Sequence, residues 1–212
     1  MLRTNTILLQ QVEVLAKTRG VDHIREKTYQ PGEQVFSQDQ ALHHVLIIRS
    51  GIAKCFIRED NGRDYILEFQ GPGEVVGELE QIDRKKAGTN LVALTKLEVF
   101  RIDGKYFNHL LTTDQAFNQL ILQELAMKIR HTSIRSAYQQ SYPVASSLLQ
   151  LVTLIDEQEL PLTKQDLADY LGITKRSLNR TIQAITSGKE KDNPELFEEG
   201  RKTVLKLFGG EQ

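Results

Sequence analysis

Apolar positions recur at two different periods along the chain, and the changes of period divide it. From Thr4 to Thr18 (TNTILLQQVEVLAKT), Ile7, Leu8, Val12 and Leu15 fall at helical spacing and Gly20 stops them, which predicts a short amino-terminal helix. From Thr28 to about Ile102 the texture is one of short alternating runs, rich in β-branched residues and broken by Gly, Asn and Asp. Such runs predict strands of about four to seven residues. Asn61 and Gly62 stand between two of them and predict a two-residue hairpin with both turn positions at positive φ. Many short strands with few helices predict a small antiparallel barrel or roll.

After Lys105 the helical period returns. KYFNHLL predicts a short helix, and from Asp114 to Tyr142 there is neither Gly nor Pro. Phe117, Leu120, Ile121, Leu125 and Ile129 form a stripe over that stretch, with Thr132 at its far end. A helix this long has more apolar face than one small barrel covers, so it is expected to pair with its twin in a dimer. Tyr142-Pro143 breaks it, because the residue before Pro is pushed out of the helical region. VASSLLQLVTLIDEQ (144–158) predicts a further amphipathic helix, and 159–162 a short extended link.

The stretch LTKQDLADYLGITKRSLNRTIQAI (162–185) reads as two helices joined by a tight turn. Thr163 is placed to cap the first, with Asp166 at the third position after it. Leu167, Ala168 and Leu171 give it one apolar face, and Gly172 ends it. Ile173 plugs the turn and Thr174 caps the second helix, whose inner face is Leu178, Ile182 and Ile185. Its outer face carries Lys175, Arg176, Asn179 and Arg180, and no acidic residue occurs from Lys175 to Lys189. Thr181 occupies a position where such patterns usually carry an apolar residue, so Ile182 has to compensate. This is the pattern of a DNA-binding helix-turn-helix, with the second helix entering the major groove. Further on, LFEEGRKTVLKLF (196–208) predicts two strands around a Glu199-Gly200-Arg201 turn, a wing with Arg201 and Lys202 at its tip.

Composition narrows the function. The chain has 212 residues, 40% hydrophobic and 26% charged, with a formal net charge of −1. Global charge therefore does not announce a nucleic-acid binder, and a local basic face must do so. Residues 163–212 are themselves nearly balanced, with nine basic against eight acidic side chains. One cysteine, Cys55, excludes a disulfide framework and a multi-cysteine cluster within one chain. The expectation is a cytoplasmic protein without a signal peptide or membrane span. No nucleophile–base pair, phosphate-cradling Gly-Lys motif or metal-ligand cluster is visible, so no enzymatic activity, metal or certain cofactor is expected.

A glycine-punctuated roll, the segment GPGEVVGELE, a long helix and a helix-turn-helix, in that order, resemble the Crp/Fnr family of bacterial transcription regulators over essentially the whole chain. GELEQID, QQSYPVASSL and ADYLGITKRSL are also similar to its YeiL-type branch. The resemblance implies an α+β chain in three parts. They are a cyclic-nucleotide-binding-like β-roll sensor (1–113), a dimerisation helix (114–142) and a winged helix-turn-helix (143–212). It further implies a homodimer on a palindromic promoter site, with RNA polymerase as a contact. The DNA-binding set on this reading is Thr163, Lys164, Thr174, Lys175, Arg176, Ser177, Asn179, Arg180, Arg201 and Lys202. The effector pocket would be lined by Gly77, Glu78, Leu79, Gly88, Thr89, Lys128, Thr132 and Ser133.

In the cyclic-AMP-binding members a Glu takes the ribose hydroxyl, an Arg about ten positions on takes the cyclic phosphate, and a Thr-Ser pair takes the base. Here Gly77-Glu78-Leu79 and Thr132-Ser133 are present, but KKAGTN supplies Ala87, Gly88 or Thr89 and no Arg. A buried phosphodiester without its fork of donors is costly. The pattern therefore argues against cyclic AMP and for a different small effector or none. A cyclic-AMP-responsive regulator, and a sensor acting mainly through protein partners, are the alternatives.

Overall fold

Asn5 accepts a hydrogen bond from the Leu8 amide at 2.9 Å and so caps the first helix, α1 (Thr6–Lys17). Before it, β1 (Leu2–Arg3) pairs in parallel with β6 (Asp64–Gln70), a strand the sequence pattern does not reveal. These elements belong to a computed structural model that describes residues 2–18, 20–158, 160–188 and 194–208. The chain divides into two compact units, one of residues 2–62 and 67–130, the other of residues 63–66 and from His131 onward.

The amino-terminal unit carries the expected roll. The remaining strands are β2 (Ile24–Tyr29), β3 (Gln34–Phe36), β4 (His44–Ser50), β5 (Ala53–Arg58), β7 (Val75–Val76), β8 (Asn90–Ala93) and β9 (Leu97–Asp103). They form a five-stranded sheet in the order β1-β6-β5-β8-β3 and a four-stranded sheet in the order β2-β9-β4-β7. β4 is buried on both faces, which is why its VLII run is continuous rather than alternating. Leu46 and Ile48 pack with Tyr29, Phe36, Cys55, Leu91 and Val99 in one apolar cluster. Val45 and Ile47 pack in a second, against Leu8, Val12 and Leu15 of α1, Phe107 and Leu110 of α3 (Gly104–Thr113) and Phe117 and Ile121 of α4 (Gln115–Ser141). Full burial of each such side chain contributes ~1.5–3 kcal/mol.

One local expectation for this unit needs correction. The connection from β5 to β6 is longer than a two-residue hairpin, spanning residues 59–63, and only Gly62 has positive φ, at 76°. Its amide closes the turn on the Glu59 carbonyl at 2.8 Å. GELEQID forms a one-and-a-half-turn helix, α2 (Glu78–Asp83), between β7 and β8.

The long helix is observed as α4, but the stripe expected to face a twin does not stay free: Phe117, Leu120, Ile121 and Leu125 pack on the roll, and only Ile129 and Thr132 of it are exposed. Phe117, Ile121 and Glu124 are buried, with Leu120 and Leu125 half-buried, whereas Leu122, Ala126, Ile129 and Ser133 are exposed at spacings of four, three and four. Tyr142 and Pro143 interrupt the helical run as expected, and α5 (Val144–Gln158) follows.

In the carboxy-terminal unit α6 (Lys164–Leu171) and α7 (Lys175–Thr186) form the expected helical pair. Leu167, Ala168, Leu178 and Ile185 are buried there, with Leu148, Leu149 and Val152 of α5. The predicted wing does not form among the described residues. Residues of LFEEGRKTVLKLF lie instead in a helix, α8 (Pro194–Phe208), that packs along α5. Gly200, read in the sequence as a turn residue, is a contact residue: a Cβ there would stand 2.8 Å from Leu149 Cδ2 and 3.0 Å from Leu149 Cβ. Buried Thr203 and Val204 follow on the inner side of α8, which supplies the helical period. Arg201 and Lys202 accordingly stand on a helix and not at a hairpin tip.

Candidate DNA-binding face and effector site

Each helix of the pair is started by its own side chains. Thr163 Oγ1 accepts from the Asp166 amide at 3.1 Å while Asp166 Oδ2 accepts from the Thr163 amide at 2.9 Å, a reciprocal capping box. Thr174 Oγ1 accepts from the Ser177 amide at 3.1 Å. Between them Gly172 takes φ 68°, and its amide bonds back to α6 carbonyls, ending that helix within one residue. Ile182 is buried, as required, and Thr181 satisfies its hydroxyl on the Ser177 carbonyl at 3.1 Å.

With Leu178, Ile182 and Ile185 turned inward, the opposite face of α7 is open. Lys175, Arg176, Asn179 and Arg180 are all exposed and line one concavity of about 530 Å³. Gln183 lines it too, a residue the sequence reading passed over, although its spacing of four from Asn179 puts it on the same face. Five donor-bearing side chains with no carboxylate among them suit phosphates and base edges.

Other predicted members take different places. Thr163 and Thr174 are exposed caps, and Ser177 is half-buried in the first turn of α7. The Lys164 ammonium lies 5.5 Å from the centre of the Phe208 ring. Arg201 donates from Nη2 to the Thr186 carbonyl at 3.0 Å, closing the carboxy-terminal end of α7 where a cation is favourable. Lys202 is exposed on α8.

In the amino-terminal unit, Glu78 begins α2 after Gly77 and is only 2% exposed. Its carboxylate receives the Lys128 ammonium at 2.7 Å, and Lys128 also donates to the Val75 carbonyl at 2.6 Å. Burial alone would lower the Lys128 pKa, but the Glu78, Glu68 and Glu74 carboxylates outweigh it and hold the ammonium above the ordinary lysine value. Leu79 is exposed. Gly88 bonds through its backbone to Glu80, whose carboxyl is pushed up chiefly by burial. Thr89 hydrogen-bonds Cys55, and burial pushes that thiol up to about 12, so it is a core thiol rather than a reactive one. Thr132 and Ser133 are exposed on α4 and fall in the carboxy-terminal unit. Among the described residues, no group of three or more His, Cys, Asp or Glu is placed to hold a metal ion. No described helix is long and apolar enough to cross a membrane.

Comparison with known proteins gives the helical pair its type. Residues 26–114 match the cyclic nucleotide-binding domain and residues 144–187 match the Crp-like helix-turn-helix domain. The chain belongs to the Crp/Fnr family. It is similar to the probable transcriptional regulator flp of Lacticaseibacillus casei, with 26% identity over 77% of each chain. Similarity extends to the CRP-like cAMP-activated global transcriptional regulator of Mycobacterium tuberculosis (23% identity, 82% of this chain and 83% of the relative). The regulatory protein YeiL of Escherichia coli O157:H7 is a further relative, 23% identical over 69% of this chain and 67% of its own. Among solved structures, a Crp/Fnr-family regulator from Eubacterium rectale superposes with a TM-score of 0.76 over 92% of this chain and 98% of its own. At 11% identity that likeness concerns the fold alone. As a Crp/Fnr-type protein, the chain is a transcription regulator that joins an effector-binding type of domain to a DNA-binding helix-turn-helix.

Proposed function

We propose that the chain acts as a homodimer that reads a palindromic promoter site through α7, under the control of its β-roll and in the cytoplasm, with RNA polymerase as a contact. The observation that carries this reading is the open face of α7, where Lys175, Arg176, Asn179, Arg180 and Gln183 share one acid-free concavity. Lys175, Arg176 and Arg180 pair with guanine acceptors, and Asn179 with adenine. The helix ends at Thr163 and Thr174, with Lys164 and Ser177, meet phosphates. Arg201 supports α7 from behind rather than touching DNA.

The exposed Leu122–Ala126–Ile129–Ser133 row supports the homodimer. Its spacing is that of a coiled-coil seam, and a second copy of α4 is the surface that would cover it. Domains on this reading run from 1 to 113, from 114 to 142 and from 143 onward.

Cyclic AMP is disfavoured by the chemistry around Glu78. The carboxylate that would take a ribose hydroxyl is already engaged by Lys128, and no Arg stands at 87–89. The effector is therefore a different small species or none. Anisotropy with selected DNA duplexes tests the whole reading: affinity should fall steeply with salt and differ between selected and scrambled duplexes. Equal, salt-insensitive binding to both would refute it.

A further inference from the structure

Three carboxylates converge on one guanidinium inside the amino-terminal unit. Arg3 of β1 donates from Nε and Nη2 to the two oxygens of Glu74, at 3.3 and 2.7 Å. Its Nη2 also reaches Glu124 Oε2 on α4 at 3.3 Å, and its Nη1 reaches Glu68 Oε2 on β6 at 3.2 Å. The Asn5 side-chain amide donates to the other oxygen of Glu124. Glu74 and Glu124 have no exposed surface, and Arg3 is 6% exposed.

A second, half-buried cation stands beside this group. Lys128 on α4 pairs with Glu78 of α2, and Glu68 and Glu74 also act on its charge. Two cations thus face four carboxylates, Glu68, Glu74, Glu78 and Glu124, with the neutral Cys55 thiol on β5 within their field. Donors are short as well. Gln70 gives its amide nitrogen to Glu68 at 2.8 Å and leaves its own buried Oε1 without a partner.

A surplus of buried negative charge is costly, and a proton relieves it twice, by removing a charge and by supplying a donor. We propose that this cluster is the binding site of a regulatory proton, and that the proton is the small effector of the roll. The proposal rests on the DNA-binding reading above. Burial pushes Glu74 up to about 7, with Glu124 and Glu68 adding to the rise and Arg3 and Lys128 opposing it. Loaded, the site lets Arg3 hold β1, β6 and α4 together. Unloaded, Glu74 and Glu124 repel across one guanidinium and α4 loosens from the roll. Because α4 also carries the exposed Leu122–Ile129 row, dimerisation and DNA affinity fall as pH rises through the neutral range.

The test uses the full chain and a duplex obtained by in-vitro selection with it at about pH 6. For the wild type, Kd should rise at least ~5-fold from about pH 6 to about pH 8. For Glu74→Gln, and for Glu124→Gln as a second variant, the rise should stay within ~2-fold. Carboxyl ¹³C NMR should show one resonance titrating near neutrality that Glu74→Gln abolishes. A Glu74 carboxyl titrating below about pH 5, or the same pH slope in all three proteins, overturns the proposal. Failure to select any duplex would instead refute the DNA-binding reading, and the NMR titration would still decide for or against the proton.

Discussion

Arg135 and Tyr170 are joined twice. The Arg135 guanidinium donates from Nη2 to the Tyr170 carbonyl at 2.6 Å and lies 3.8 Å from the centre of the Tyr170 ring. Gln139, one turn further along α4, donates to the same carbonyl at 3.1 Å. Tyr170 stands in the last turn of α6, two residues before the Gly172 turn that orients α7. The far end of the long helix is thus fastened to the base of the helix-turn-helix. Arg135→Ala should destabilise the carboxy-terminal unit by ~1–3 kcal/mol, the sum of a charged hydrogen bond and a cation–π contact. Thermal melting followed by circular dichroism measures it. An unchanged melting profile would show that the two contacts carry no net stability.

Arg180→Ala should weaken binding to a selected duplex by ~1–3 kcal/mol and relax the preference at one base of each half-site. Gln183→Ala should cost less, because Gln183 lies a turn deeper along α7, at the edge of the same concavity. Repeating the in-vitro selection with each variant gives the readout. If Arg180→Ala discriminates between bases as sharply as the wild type, Arg180 is not a base reader.

The helix-turn-helix was legible because its signals are local. Thr163 with Asp166, Gly172, and Thr174 with Ser177 each act within three residues, so spacing alone exposes them. The roll was legible for a similar reason, since its strands announce themselves by alternation and turn residues. β4 shows the limit of that signal: both of its faces are covered, so the alternation disappears. The buried cluster was invisible. Arg3 and Glu124 are 121 positions apart, and nothing in local pattern says that two charged residues so distant share one interior site. The family resemblance puts Lys128 in the effector pocket, but only the fold reveals that it engages Glu78.

The wing failed for a physical reason that can be tested. Glu-Glu-Gly-Arg-Lys followed by Thr-Val has the local chemistry of a turn and a strand. What a sequence window does not contain is the packing of α8 along α5, where Gly200 lies close against Leu149. Gly200→Ala places a Cβ against Leu149 and should destabilise the unit by ~1–3 kcal/mol through overpacking, although alanine is the better helix former. In a hairpin turn the same substitution would leave α5 undisturbed. A stabilised Gly200→Ala variant would show instead that Leu149 yields to the added methyl and that helix propensity outweighs the close approach.

Arg201 separates the same two structures by a different measurement. On α8 it donates to the Thr186 carbonyl, so Arg201→Ala should lower stability by ~0.5–2 kcal/mol. The slope of log affinity against log salt should stay as it is in the wild type. At a wing tip, loss of one phosphate contact would reduce that slope by ~0.9.

Ile129→Arg addresses the dimer. Ile129 is 69% exposed and Leu122 55% exposed, while Phe117 and Ile121 of the same helix are fully buried in the roll. The substitution should therefore leave the amino-terminal unit folded and act only on whatever covers the outer row. Two facing guanidiniums in a dry seam oppose association, and sedimentation velocity should show a shift from dimer to monomer at micromolar concentration. DNA affinity for a two-half-site duplex should fall by at least ~10-fold, because each recognition helix then binds without the effective concentration its twin provides. Phe117→Arg is the contrasting variant: it should unfold the roll itself. If Ile129→Arg remains dimeric and keeps full affinity, the seam lies on another face of the chain, and Leu122, Ala126 and Ile129 need a different occupant.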